Sequence, residues 1–260
     1  MVTVYEHVLS PYAQKVKIAL REKGVDFDCA TTVGAGAAPD PVFLAANRRA
    51  EVPVLIDGET AIFDSTIILE YIEDRWPTPA LLPAVAADRA RVRMIEEVMD
   101  THFEAINWGL GELNWFRRAT GELAASLKAN AARQTQGFFA WLERELGQRA
   151  WFNGEAFGWG DLSVAPYVAG SISVGNPPAP ESALAAWAGR AFARPSVAKT
   201  LEEARAFDFR ATNLDDLLAK GLFKREYRDH RLEWMIKSGG LEVVAKGLEA
   251  GNIRFTADYE

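Results

Sequence analysis

The hydrophobic rhythm of this chain changes once, near residue 78, and that change limits what it can fold into. Before it, short period-two runs alternate with helical runs. Val2 and Val4 alternate with polar residues, as in a half-buried strand. Tyr12, Val16, Ala19 and Leu20 then share one helical face, with Lys15, Lys17, Arg21 and Glu22 largely off it. Gly24 stands where a left-handed residue would end that helix. Val25, Phe27 and Cys29 alternate again. A short helical turn is expected near Phe43–Ala46. Val52 to Ile56 and Thr60 to Phe63 flank Asp57-Gly58, a hairpin signal. A helix from about Ser65 to Arg75 follows, ended by Pro77. The order β-α-β-α-β-β-α predicts an α/β layer over residues 1–77.

After Asp88 the period-two runs disappear. Residues 78–87, stiffened by Pro79 and Pro83, read as a linker. Helical runs follow at about 88–117, 121–147, 159–174, 181–193 and 195–206, predicting an all-α domain over 88–206. The tail 207–260 continues helically, at about 213–222, 226–237 and 240–250. In the tail, Lys220, Lys224, Arg225, Arg228, Arg231 and Lys237 form a basic cluster, read as a solvated helix face. Leu232, Trp234, Met235 and Ile236 give that helix an apolar contribution, so it is expected to dock on the body.

Composition narrows the function classes. With 29 basic and 36 acidic residues the net charge is −7, which argues against a broad nucleic-acid footprint or attraction to anionic lipid. The one cysteine, Cys29, rules out an intrachain disulfide framework. His7, His102 and His230 lie far apart without metal-ligand spacing, so no metal is expected. No apolar run approaches eighteen residues. Met1–Leu9 lacks the flanks of a signal peptide. The expectation is a cytoplasmic protein that uses neither membrane nor nucleic acid.

Three short motifs carry candidate chemistry. Ser10-Pro11 heads the first helix, serine being a favoured N-cap and proline a favoured first helical residue. As a cap it is ordinary. The positive end of the helix also favours a thiolate, to which a serine hydroxyl donates. Val52-Pro53 lies inside an apparent strand, as an edge proline or as a cis proline in a fixed turn. A cis proline there would leave the Val52 backbone free to pair with an extended ligand. Asp64-Ser65 precedes the next helix. It too reads as a cap, or as a place for the carboxylate and ammonium of a free α-amino-acid end.

Taken together on this layer, the stretches SPYAQKVKIALREKG, EVPVLIDG and DSTIILEYIEDRWP resemble the cytosolic glutathione transferase family. The pattern is similar to its serine-type and omega-like classes, the latter having a cysteine at the place of Ser10. The resemblance spans about residues 1–206, and FNGEAFGWGDLSVAPY looks like bacterial members, some of them lyases or etherases. It implies a thioredoxin-like N-terminal domain followed by an all-α helical C-terminal domain. It implies a cis peptide at Pro53 and glutathione as co-substrate. Ser10 would meet the glutathione sulfur, Val52 the cysteinyl unit, and Asp64 and Ser65 the γ-glutamyl end. A hydrophobic electrophile would enter between the domains, walled by Tyr12, Phe103, Trp108, Trp115 and Phe116. A homodimer is the family expectation.

The chain departs from the family pattern in places. Gly34 to Ala46 contains no basic residue to grip the glycyl carboxylate, leaving Arg48 or Arg49 as substitutes. Glu51 puts an acid beside that site. Tyr5 is a rival hydroxyl. In the helical half, Gly158 stands where relatives place a capping Ser or Thr, with Asp161 three residues on; this motif is assigned to folding. Val33-Gly34-Ala35-Gly36 lacks the third glycine of a dinucleotide loop. A thiol–disulfide activity would need a cysteine at the helix start, and Cys29 lies in the second strand. The alternative to an enzyme is a binding or regulatory protein on the same fold.

Overall fold

The computed structural model describes residues 1–32, 39–207, 227 and 229–253. Strands β1 (Val2–Glu6), β2 (Phe27–Thr31), β3 (Val54–Asp57) and β4 (Thr60–Phe63) form one sheet in the order β2-β1-β3-β4. β1 and β2 run parallel, joined by helix α1 (Pro11–Glu22), while β1–β3 and β3–β4 are antiparallel. The tight turn at Gly58, with φ +61°, closes the β3–β4 hairpin. Helix α2 (Pro41–Ala46) precedes β3, and α3 (Ser65–Arg75) follows β4.

The helical half contains α4 (Ala86–Val98), a π-helical turn (Met99–Phe103), α5 (Glu104–Asn114), α6 (Gly121–Leu146), α7 (Trp159–Ser173), α8 (Ala183–Phe192) and α9 (Pro195–Arg205). Among the described residues two short helices follow, α10 (His230–Lys237) and α11 (Leu241–Glu249). No described helix is long and apolar enough to cross a membrane. The expected helix at 213–222 and most of the basic cluster lie outside the described residues. Described Arg231 and Lys237 are on α10, none of whose residues is buried, with Trp234 66% exposed.

The single run expected over 88–117 is broken by the π turn. There Glu104 N–H bonds Met99 C=O, five residues back, and the Thr101 hydroxyl donates to Glu97 C=O at 2.7 Å. The extra residue per turn rotates the following helical face.

α1 differs most from its pattern. Its apolar face is buried as expected, but so is the opposite one: Ala13 through Leu20 are all buried, Lys15 and Lys17 included. The helix is sandwiched, packing on α3 and on α7 and α9 of the helical half. The polar face survives burial because each cation meets a carboxylate. Lys15 meets Glu96 and Asp100, Lys17 meets Glu6 and Glu203, and Lys23 meets Glu73.

The Gly158–Asp161 motif anchors α7. The Asp161 carboxylate accepts from Phe152 N–H (2.8 Å), Gly158 N–H (3.1 Å), Asn153 N–H (3.3 Å) and the Trp187 indole (2.8 Å). Burial outweighs these donors and pushes its pKa up to about 6. Glycine is required at 158 by space: a Cβ there would lie 1.9 Å from Asn153 Nδ2 and 2.3 Å from Leu81 C=O.

Candidate active site

A cleft of about 1130 Å³ opens between the sheet side and the helical half. Its sheet-side lining runs from Asn47 through Arg49, Glu51, Val52 and Pro53 to Asp64 and Ser65. Local hydrogen bonds shape this wall. Buried Asn47 donates from Nδ2 to Glu51 C=O (2.9 Å) and accepts from Arg49 N–H (3.0 Å), folding the turn before β3. Ala50 takes φ +56° in that turn. The Val52–Pro53 peptide is cis. Val52 makes no backbone hydrogen bond to another described residue.

Asp64 caps α3, accepting from Thr66 N–H (3.1 Å) and Ile67 N–H (3.4 Å) through Oδ1. It does so at φ +75°, a left-handed conformation costly for a residue with a Cβ. Ser65 is 6% exposed and lines the cleft, and its hydroxyl bonds no described residue. Arg49 sits between two acids: Nε lies 3.2 Å from Glu51, and a terminal nitrogen lies 3.8 Å from Asp64. Its guanidinium covers the Phe63 ring at 5.0 Å. Glu51, the acid beside that site, thus faces a cation.

Ser10 is the N-cap of α1, with Pro11 at the first helical position. Its Oγ accepts from Ala13 N–H at 3.3 Å, and its hydroxyl proton goes to no described residue. Ser10 is half-buried and is not among the residues lining the cleft; Tyr12, on the same turn, is. Tyr5 is committed elsewhere. Its hydroxyl donates to Asp40 (3.2 Å), and burial together with that carboxylate raises its pKa.

The helical wall was not foreseen in detail. Glu96, Glu97, Asp100, Thr101, Glu104 and Trp108 line it on successive turns. Beneath them lies a buried polar knot. Lys15 Nζ is 2.5 Å from Glu96 and also pairs with Asp100. Glu96 further accepts from the Thr66 hydroxyl (2.9 Å) and the Trp159 indole. Asp100 accepts from the Tyr167 hydroxyl (2.7 Å), and its backbone carbonyl from Tyr12 (2.6 Å). Burial alone would lower the Lys15 pKa; the Asp100 and Glu96 charges outweigh it and hold the ammonium above its usual range. At the cleft edge Arg93 makes a bidentate pair with Glu70 of α3, at 2.7 and 2.8 Å.

The expected aromatic wall divides. Tyr12 and Trp108 line the cleft. Phe103 is fully buried, four residues after buried Met99, and packs among Phe138, Phe139 and Tyr167. Trp115 and Phe116 follow the end of α5 and are not among the lining residues. Tyr227 and His230, from the C-terminal segment, are. The sequence did hold a signal for the knot: Glu96 and Asp100 stand four apart amid Val92, Ile95 and Met99, and Lys15 stands at helical spacing from Tyr12, Ile18 and Ala19. No described group of three or more His, Cys, Asp or Glu residues has a metal-binding arrangement.

Residues 4–80 match the family model described as "Glutathione S-transferase, N-terminal domain". Glutathione S-transferase U28 of Arabidopsis thaliana is 32% identical over 216 residues, covering 78% of this chain and 89% of its own. A crystal structure of a glutathione S-transferase from Rhodospirillum rubrum superposes with a TM-score of 0.68 at 27% identity, over 77% of this chain and 92% of that one. Rice GST1, solved in complex with glutathione, gives 0.67 at 29% identity, over 81% and 96%.

Proposed function

The chain belongs to the glutathione S-transferase family, and from that premise we propose that it binds glutathione and uses Ser10 to hold the sulfur as a thiolate for attack on a hydrophobic electrophile. The observation that carries this reading is the sheet-side wall. Val52, cis Pro53, Asp64 and Ser65 follow one another along an open cleft, and among the described residues neither the Val52 backbone nor the Ser65 hydroxyl has a hydrogen-bond partner. An extended tripeptide would pair with Val52 and end at the start of α3, whose N–H groups and dipole favour a carboxylate. Asp64 Oδ2 would take its ammonium. Arg49 would meet the glycyl carboxylate in competition with Glu51.

Ser10 suits its role because its proton goes to no described residue and it sits at the positive end of α1. Lowering a thiol pKa from about 8.5 by two units raises its ionised share at pH 7 from roughly 3% to about 75%. The thiol proton passes to solvent, the carbon–sulfur bond forms, and the leaving group departs with its electron pair. In this reading the protein is a serine-type, omega-like member that conjugates its substrate or cleaves it in the manner of a lyase or etherase. Detoxification, a cytoplasmic setting and a homodimer belong to the same proposal. So does the division into a glutathione-binding domain at 1–77, a helical domain at 88–206 and an extension at 207–260.

The test compares wild type with Ser10→Ala using glutathione and 1-chloro-2,4-dinitrobenzene. Turnover should fall about 10²- to 10³-fold, the scale of losing one donor to a developing anion. Glutathione binding should persist, and the pKa of the bound thiol should rise. Unchanged turnover removes Ser10 from the chemistry. No retention on immobilised glutathione, with a silent calorimetric titration at millimolar ligand, replaces this reading with the binding or regulatory one.

A further inference from the structure

We infer that His7 and Gln14 are positioning residues for Ser10, fixing from either side the turn that delivers its hydroxyl. The inference rests on the reading that Ser10 holds the glutathione sulfur. β1 ends at Glu6 and α1 begins at Pro11, so Ser10 arrives on a turn outside both elements. Its own backbone is tied in both directions. Ser10 N–H donates to His7 C=O (2.8 Å), and Ser10 C=O accepts from Gln14 N–H (2.9 Å). Two polar groups within the turn, Val8 C=O and Leu9 N–H, have no backbone partner among the described residues. Side chains take both. His7 Nδ1 accepts from Leu9 N–H at 3.3 Å, and Gln14 Nε2 donates to Val8 C=O at 2.7 Å.

The His7 contact copies the turn that an Asn or Asp side chain makes with the N–H two residues on. It needs an unprotonated Nδ1. Desolvation lowers the pKa of the ring against the pull of Glu6, so the neutral form prevails at about pH 7. The ring also meets Phe207, just beyond α9, with centroids 5.1 Å apart and planes at 62°. Gln14, one turn into α1, is 5% exposed. Among the described residues the Ser10 hydroxyl has one bond, that from Ala13 N–H, so its place depends on the backbone that carries it. A turn loosened at Val8 or Leu9 would carry Ser10 away from the sulfur. Misplacement by about 1 Å can cost about 10²-fold in rate.

The test follows the ionisation of bound glutathione on the full chain, by the ultraviolet absorbance of its thiolate, beside turnover of 1-chloro-2,4-dinitrobenzene. His7→Phe keeps a ring for Phe207 and removes the acceptor. Gln14→Met keeps the bulk and removes the donor. Each should raise the pKa of the bound thiol by about one and lower kcat about tenfold, since a change of one in pKa is a factor of ten. Affinity for S-methylglutathione, which has no thiol, should not change. His7→Asn restores an acceptor for Leu9 N–H and should keep wild-type values. In a Ser10→Ala background none of these changes should move the thiol pKa further. An unmoved thiol pKa in His7→Phe, no advantage of His7→Asn over His7→Phe, or equal shifts in the Ser10→Ala background overturns the positioning role. Should Gln14→Met fail to fold, the two His7 variants decide, because His7 is an exposed residue. If Ser10→Ala alone raises the thiol pKa, the Ser10 reading stands and the positioning role falls. If Ser10→Ala leaves it unchanged, or wild type binds no glutathione, both fall.

Discussion

The two walls of the cleft are built by different means. The sheet-side wall is made of short-range devices: the Asn47 turn, the cis Val52–Pro53 peptide and the Asp64 cap, each closed within about five residues of chain. The helical wall rests on the knot of Lys15, Thr66, Glu96, Asp100, Trp159 and Tyr167, whose members are brought together only by the tertiary fold. A wall of local devices tolerates a change at one position without losing its neighbours. A wall standing on a buried network of charges loses more than one contact when any partner is removed.

The largest effect that would sharpen this contrast is Lys15→Ala. It leaves Glu96 and Asp100 buried without their cation and should lower unfolding stability by about 3–5 kcal/mol in denaturant titration. A loss near that of an exposed ion pair would mean the two walls are equally tolerant.

Next comes the pH dependence of Asp161. Its pKa of about 6 in the fold lies above the unfolded value of about 3.9. The native state therefore holds the proton more tightly. This contribution is fully present below about pH 4 and is lost as pH rises through about 6, amounting to roughly 3 kcal/mol. Melts of wild type and Asp161→Asn at several pH values should show that slope in wild type and its absence in the variant. Parallel curves would mean that the four donors, not burial, govern the group.

The smallest stability effect is expected on the sheet side. Asp64→Gly relieves the +75° φ while removing a cap that glycine replaces at a cost of a few tenths of a kcal/mol. The melt should barely move. Glutathione affinity should fall about 10- to 100-fold, the range for a hydrogen bond to a charged group. A large stability loss with unchanged affinity would make Asp64 a cap alone.

What could be read from the sequence follows the same division. Ser10-Pro11, Val52-Pro53 and Asp64-Ser65 were visible because capping and proline chemistry act over a few residues, and so were the element order and the Asp57-Gly58 turn. The burial of Lys15 was not. Helical periodicity marks one apolar face of α1 and is silent on whether a second layer covers the other. Phe103 went to the core and not to the cleft because it continues the buried row of Ile95 and Met99 and meets Phe138, Phe139 and Tyr167, which only the tertiary fold brings there. Tyr227 was missed because nothing short of the tertiary fold brings it to Trp108.

α1 lines the cleft through Tyr12 and supports the helical wall through Lys15. Ser10 stands at its tip and Lys15 five residues on, about 7.5 Å along one rigid rod. Any resettling of the helical bundle that drags Glu96 or Asp100 is therefore transmitted as a displacement of the serine. If Ser10 holds the sulfur as proposed, a change in the helical wall would shift that hydroxyl as well. A chimera grafting another relative's helices onto this sheet would have to import Lys15 together with its acids, or inherit a misaligned hydroxyl.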